Sequence, residues 1–201
     1  MAVLKYRKRR SDEKIEWIVV HYPAMPNRSA YQVKDYFDRT NRAVSTHYIV
    51  DDNGWLNQTS TKYAAFHVGS LSDHEKKRNE DMFNGKEPAP YWMAHNGNSI
   101  GIDICDCKKC TNTCSVDDFD WYFTRKTLEN TAALIAMLMK RHNIDINHVI
   151  RHYDVTGKRC PRPFVGCDES CNNPGCTCFD VWEDFKKYII DFYFDTEVCH
   201  E

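Results

Sequence analysis

The sequence predicts an α/β domain, with a central mixed β-sheet flanked by helices, and three observations lead there. Short runs rich in β-branched and aromatic residues alternate with segments of helical periodicity, the order that packs helices onto a sheet. The 201 residues suffice for one domain with a real core and are too few for two comfortable ones. No internal repeat, Ser/Gly linker or low-complexity tract divides them.

Residues 1–14 are polar and read as an arm, ordered only in part, ahead of a single domain over 15–201. Their basic run, Lys5-Tyr6-Arg7-Lys8-Arg9-Arg10, reads first as a solvated terminus and second as a weak tether for an anionic polymer. Ile15 to Tyr22 is too apolar for an exposed strand and belongs at the centre of the sheet; Pro23 and Pro26 end it. Ser29 caps a helix over roughly residues 30–40, with Val33, Tyr36 and Phe37 as its apolar stripe. His47 to Val50 and Trp55 to Gln58 flank Asp51-Asp52-Asn53-Gly54, a hairpin turn by its Asn-Gly. His47 itself reads as structural. Ala64 to Val68 suggests another strand, ended by Gly69.

Residues 70–97 lack clear periodicity and read as a long irregular loop or rim. Ser99 to Ile104 alternates: Ile100, Ile102 and Ile104 face one side, Gly101 and Asp103 the other. From the strand alone, Asp103 reads as a carboxylate on a solvated face. Thr124 to Asn143 is the strongest helix, and Phe179 to Phe194 a closing amphipathic one on Trp182, Phe185, Ile189 and Phe192.

A formal charge of -2 gives no reason to expect nucleic acid or an anionic membrane as partner. No apolar run follows the basic arm and no segment is long enough to span a bilayer, so neither a signal peptide nor membrane insertion is expected.

The ten cysteines are the unusual count. Besides Cys160 and Cys199, they form two tight groups: Cys105, Cys107, Cys110, Cys114, and Cys167, Cys171, Cys176, Cys178. In a reducing compartment such groups bind metal more often than they pair as disulfides. The Lys, Asn, Gly and Pro between them suit loops wrapped round an ion rather than core cysteines. We expect insertions at about 105–120 and 165–178 that form a structural zinc knob, holding one or two ions in closed thiolate sites. Disulfides are the alternative.

The stretch from Val149 to Pro161 carries the chemistry. A strand runs into His152, Asp154 and Gly157 supply turns, and Cys160 closes the loop, so both soft ligands can reach one ion. A catalytic zinc site needs three protein ligands and an open position. We place the third ligand at His21, at the end of the first central strand.

Taken together, His21, Ser45-Thr46-His47-Tyr48, Phe66-His67-Val68-Gly69, Asn98 to Ile104 and the His152–Cys160 loop resemble the type-2 N-acetylmuramoyl-L-alanine amidases. These are zinc enzymes of phage endolysins and autolysins that share their fold with the peptidoglycan recognition proteins. The likeness runs from about residue 15 to 164, plus the last helix; the cysteine groups sit in insertions outside it. It implies one catalytic zinc on His21, His152 and Cys160, and hydrolysis of the amide between N-acetylmuramic acid and L-alanine. It also implies a general base at Asp103, where the family carries Glu, with Lys158 stabilising the oxyanion and His67 lining the substrate groove. Peptidoglycan would be the partner, and a phage or prophage endolysin, made in the cytoplasm and acting on the wall after release, the setting. A cytosolic muropeptide-recycling amidase is the variant. A module that binds muropeptide without cleaving it ranks second: Cys160 argues against it and the shortened Asp103 keeps it open. A zinc scaffold docking protein or nucleic acid is the third class.

Overall fold

The computed structural model describes residues 6–11, 13–109, 115, 118–165 and 180–195. In chain order the elements are β1 (Arg7–Arg9), β2 (Trp17–His21), α1 (Ala30–Arg39), β3 (Tyr48–Asp51), β4 (Gly54–Asn57), β5 (Tyr63–Ala65) and α2 (Leu71–Phe83). There follow β6 (Ser99–Ile104), β7 (Cys107–Lys108), β8 (Trp121–Tyr122), α3 (Arg125–His142), β9 (Val149–Arg151), α4 (His152–Thr156) and α5 (Asp180–Asp195).

The main sheet has the order β4-β3-β6-β2-β9. Only the β3–β4 hairpin is antiparallel; β3, β6, β2 and β9 run parallel. Alternation assigns the two faces. Ile18 and Val20 of β2 and Ile100, Ile102 and Ile104 of β6 point to one side, against Leu134, Ile135 and Leu138 of α3 and Trp182, Phe185 and Ile189 of α5. Each such buried side chain contributes roughly 1.5–3 kcal/mol, so this face holds most of the core. On the other face Ile49 packs with Ala30, Val33 and Phe37 of α1, and Val19 with Val68, Ala94 and Ile150. That second, thinner layer is where the polar groups collect.

The expected helix ends appear with their caps. Ser29 and Gln32 form a reciprocal capping box on α1. Thr124 caps α3, and Asn143 ends it in the left-handed conformation at φ 52°.

Residues 70–97 depart from expectation, because Leu71–Phe83 is a helix. It buries only His74, so it has no apolar stripe to read. What holds it is local: Ser70 and Asp73 cap it reciprocally, and Lys77 pairs with Asp81 at 2.8 Å. The arm also departs from a solvated terminus. Arg7–Arg9 pairs antiparallel with Tyr63–Ala65. The Arg10 guanidinium then donates to five backbone carbonyls: Thr61, Tyr63, Asn96, Gly97 and Ser99.

Of the eight grouped cysteines, Cys110, Cys114, Cys167, Cys171, Cys176 and Cys178 lie outside the described residues. Cys105 directly follows β6 and is not on an exposed loop. It is buried under α1 with Val33, Phe37 and Ile49, and desolvation pushes its thiol pKa far up. Cys107 is half-buried on β7, which pairs antiparallel with β8, and Lys108 bonds Asp118 at 3.0 Å and Asp120 at 2.6 Å. Among the described residues no helix is long and apolar enough to cross a membrane.

Candidate metal centre

The site lies at the carboxyl ends of the parallel strands, where an open α/β sheet leaves a crevice. His21 ends β2 and is in register with Asp103 of the neighbouring β6, so both side chains leave the same face. On the other side of β2, Val20 is in register with Arg151, which delivers His152 as the next residue. One turn of helix follows, fixed at its start by Asp154, whose carboxylate accepts the Arg151 N–H at 2.8 Å and the Arg151 guanidinium at 2.7 Å. Gly157 ends the turn at φ 74°, and the chain returns so that the Tyr153 N–H donates to the Cys160 carbonyl at 2.9 Å. The loop thus brings His152 and Cys160 together, as their spacing suggests.

His21, His152 and Cys160 offer three ligand atoms that lie within 4.8 Å of one another, and all three residues are buried. The Nδ1 atoms of the two imidazoles face each other at 3.0 Å, and Cys160 Sγ is 3.9 Å from His21 Nδ1. Zinc–nitrogen bonds of ~2.0 Å and a zinc–sulfur bond of ~2.3 Å put tetrahedral donors roughly 3.3–3.6 Å apart. Two of the spacings lie either side of that range and none of the three exceeds 4.8 Å, so the donors can close on a metal ion.

The protons agree. His21 Nε2 is 2.9 Å from His67 Nδ1, His67 Nε2 is 3.2 Å from Ser99 Oγ, and Ser99 Oγ donates to the His95 carbonyl. Read as donors from one end, His21 Nε2–H and His67 Nε2–H satisfy this line and leave a bare lone pair on His21 Nδ1 toward the metal position. Burial pushes the pKa of His21 well down and that of His152 to about 3, keeping both imidazoles neutral, the form that ligates. Burial also pushes the Cys160 thiol up to about 12, opposed by a backbone hydrogen bond from Tyr22 and by Lys158. A thiolate there needs an adjacent cation.

Asp103 is 6% exposed, not on a solvated face. Desolvation raises its pKa to about 7, opposed by a hydrogen bond with Thr46 and by the Lys158 charge. It lines a cavity of about 270 Å3 together with His21, His152, Cys160 and Lys158. A larger cavity of about 890 Å3 shares His67 and His152 and is walled by Lys8 and Arg9 of the arm and by Ser70 and Leu71 of α2.

Every expected residue of the centre therefore faces one crevice, but His67 does more than line a groove. Both its ring nitrogens are engaged, one of them by His21. Its ring sits where a side chain on Gly101 would be: a Cβ there would lie 2.6 Å from His67 Cγ. That glycine, opposite the isoleucines of β6, was the available signal. His47 is structural, as expected. Its Nδ1 accepts the Gly101 N–H at 2.9 Å and its Nε2 donates to the Tyr63 carbonyl at 3.0 Å. Residues 11–163 match the N-acetylmuramoyl-L-alanine amidase family. The chain is 32% identical over 158 residues to the N-acetylmuramoyl-L-alanine amidase CwlL of Bacillus licheniformis, covering 75% of this chain and 37% of that protein. It is 27% identical over 150 residues to the amidase BlyA of Bacillus subtilis, covering 73% and 36%. The chain thus spans well under half the length of these relatives. In fold it resembles the PlyG catalytic domain, with a TM-score of 0.58, 20% identity and coverage of 90% and 84%. The catalytic domain of XlyA gives 0.55, 23%, 88% and 86%. With three quarters of its length matched and a His-His-Cys group at its strand ends, this chain belongs to the N-acetylmuramoyl-L-alanine amidase family.

Proposed function

We propose that the chain hydrolyses the amide between the lactyl group of N-acetylmuramic acid and L-alanine in peptidoglycan, using one zinc held by His21, His152 and Cys160. The supporting observation is the convergence of those three donors with Asp103 and Lys158 on one cavity. When bound, zinc supplies the Lewis acidity that activates water and polarises the scissile carbonyl. Asp103, with a pKa near neutrality, accepts a proton from the attacking water on a carboxylate oxygen and passes it to the leaving L-alanine nitrogen. The Lys158 ammonium faces the charge that develops on the carbonyl oxygen. His67 holds the Nε2 proton of His21 and so keeps Nδ1 turned to the metal.

The setting we assign is a phage or prophage endolysin acting on the bacterial cell wall. The grouped cysteines we assign to a structural zinc knob beside the groove, with one or two further ions. Of the two described cysteines of these groups, Cys105, buried under α1, is less suited to ligate than the half-buried Cys107. The test is purified protein on isolated cell walls, with mass spectrometry of the released fragments. Free lactyl ends on muramic acid and new L-alanine amines, lost on chelation and regained with zinc, are expected. Binding to walls without release would favour the binding module instead, and cleavage at a glycosidic or peptide–peptide bond would sink the assignment.

A further inference from the structure

The rim of the metal cavity carries two cations, and they are placed differently. Lys158 belongs to the loop that carries His152 and Cys160, two residues before the cysteine. Arg42 lines the same cavity from the loop after α1, a segment that carries none of the three ligands.

Its guanidinium is exposed and has no hydrogen bond or ion pair among the described residues. The acids of the helix before it are taken: Asp38 by Lys34 at 2.5 Å and Asp35 by Arg39 at 2.8 Å. Its backbone, in contrast, is tied on both flanks. The Arg42 N–H donates to Thr40 Oγ1 at 3.2 Å and its carbonyl accepts from the Val44 N–H at 2.8 Å. Tyr6 of the arm clamps the loop from outside. Its hydroxyl donates to the Asn41 carbonyl at 2.7 Å, and its own carbonyl accepts from Ser45 Oγ. An unpaired cation on a braced loop is prepared for an anion, and a guanidinium prefers a planar one that takes two parallel N–H bonds.

We infer that Arg42 reads the free carboxylate of the peptide beyond L-alanine, and so selects stem peptides whose second residue is an acid over those carrying its amide. The inference rests on the peptidoglycan reading above. The amide isostere offers the same shape but one neutral acceptor, so the discrimination is of a charge-assisted pair against a neutral bond, about tenfold in affinity.

The test compares N-acetylmuramoyl-L-alanyl-D-isoglutamate with the matching isoglutamine compound. Each is titrated into zinc-loaded Asp103→Asn protein, in which turnover is slowed, and into the same protein also carrying Arg42→Gln or Arg42→Lys. The expected result is a preference of about tenfold for the acid that vanishes with Arg42→Gln and survives in part with Arg42→Lys. Equal affinities in the parent protein, or a preference that persists in Arg42→Gln, would overturn it. If Asp103→Asn still turns over, the ratio of cleavage rates in a mixture of the two compounds gives the same preference. A new L-alanine amine in wild-type samples reports separately on the bond cleaved, so failure of the hydrolytic reading and failure of the Arg42 assignment give different results.

Discussion

At the centre of the sheet, β2, β6 and β9 place His21, Asp103 and His152 by packing. Ile18, Val20, Ile100 and Ile102 are fully buried behind them, and one strand register sets the two neighbours His21 and Asp103. The flank that walls the larger cavity is built otherwise. α2 buries only His74, and the arm is held by three strand pairs and the carbonyl bonds of Arg10. The centre is held by side chains excluded from water, the flank by hydrogen bonds beside it. Substitutions at the centre should therefore damage chemistry, and those on the flank should loosen structure locally.

The largest effect is expected at the ligands. His152→Ala should lower amidase activity more than about 10³-fold, because the Lewis acid supplies several kcal/mol of the stabilisation. Metal analysis should show the catalytic ion lost; bound metal at undiminished affinity would break the ligand assignment. Next is the base. Asp103→Asn should cut kcat by roughly 10²–10⁴-fold. The base works ionised and its pKa is raised to about 7, so wild-type kcat/KM should climb as pH rises through about 7. That acid limb should be missing from Asp103→Asn; an identical limb in the variant would assign it to another group.

Gly101→Ala comes third. The new Cβ would meet the His67 ring at 2.6 Å, so the ring must shift and release His21 Nε2. We expect a loss of about 1–3 kcal/mol in stability, together with weaker zinc binding in competition with a chelator. A change in stability with zinc affinity intact would make His67 a packing residue only. The smallest effect belongs to the flank. Ser70→Ala removes the cap of α2 and should cost about 1 kcal/mol, read as faster amide hydrogen exchange confined to residues 71–83. Exchange spreading into β6 would show that flank and centre are one cooperative unit.

The same contrast explains what the sequence disclosed. β6, α3 and α5 are legible because burial leaves a period in their apolar residues, β2 because it is apolar throughout, and the β3–β4 hairpin by its Asn-Gly turn. His21, His152 and Cys160 stand out as soft ligands at a strand end and a loop closure, whereas Asp103, from its strand alone, reads as solvated and enters only through the family resemblance. α2 is not legible, since a helix that buries one histidine leaves no stripe; its signal is only Ser70 and Asp73 three apart. By spacing Cys105 groups with the cysteines that follow it, although it directly follows Ile104 and packs under α1. The resemblance implies only that His67 lines the groove; its support of His21 leaves no mark in the sequence, because that contact joins residues 46 positions apart across Gly101.

Arg10 ties the arm to separate stretches of the chain. Its five carbonyl partners lie 51 to 89 positions further along the chain. One guanidinium can bond them all only while each stretch keeps its native place, so β1 stays docked only on an intact flank. It is also the element best placed to leave first, since its departure exposes polar backbone and little core. Tyr6 travels with it, and with Tyr6 the clamp on the Arg42 loop. Opening of the arm and loosening of the cavity rim are therefore one local event, not two.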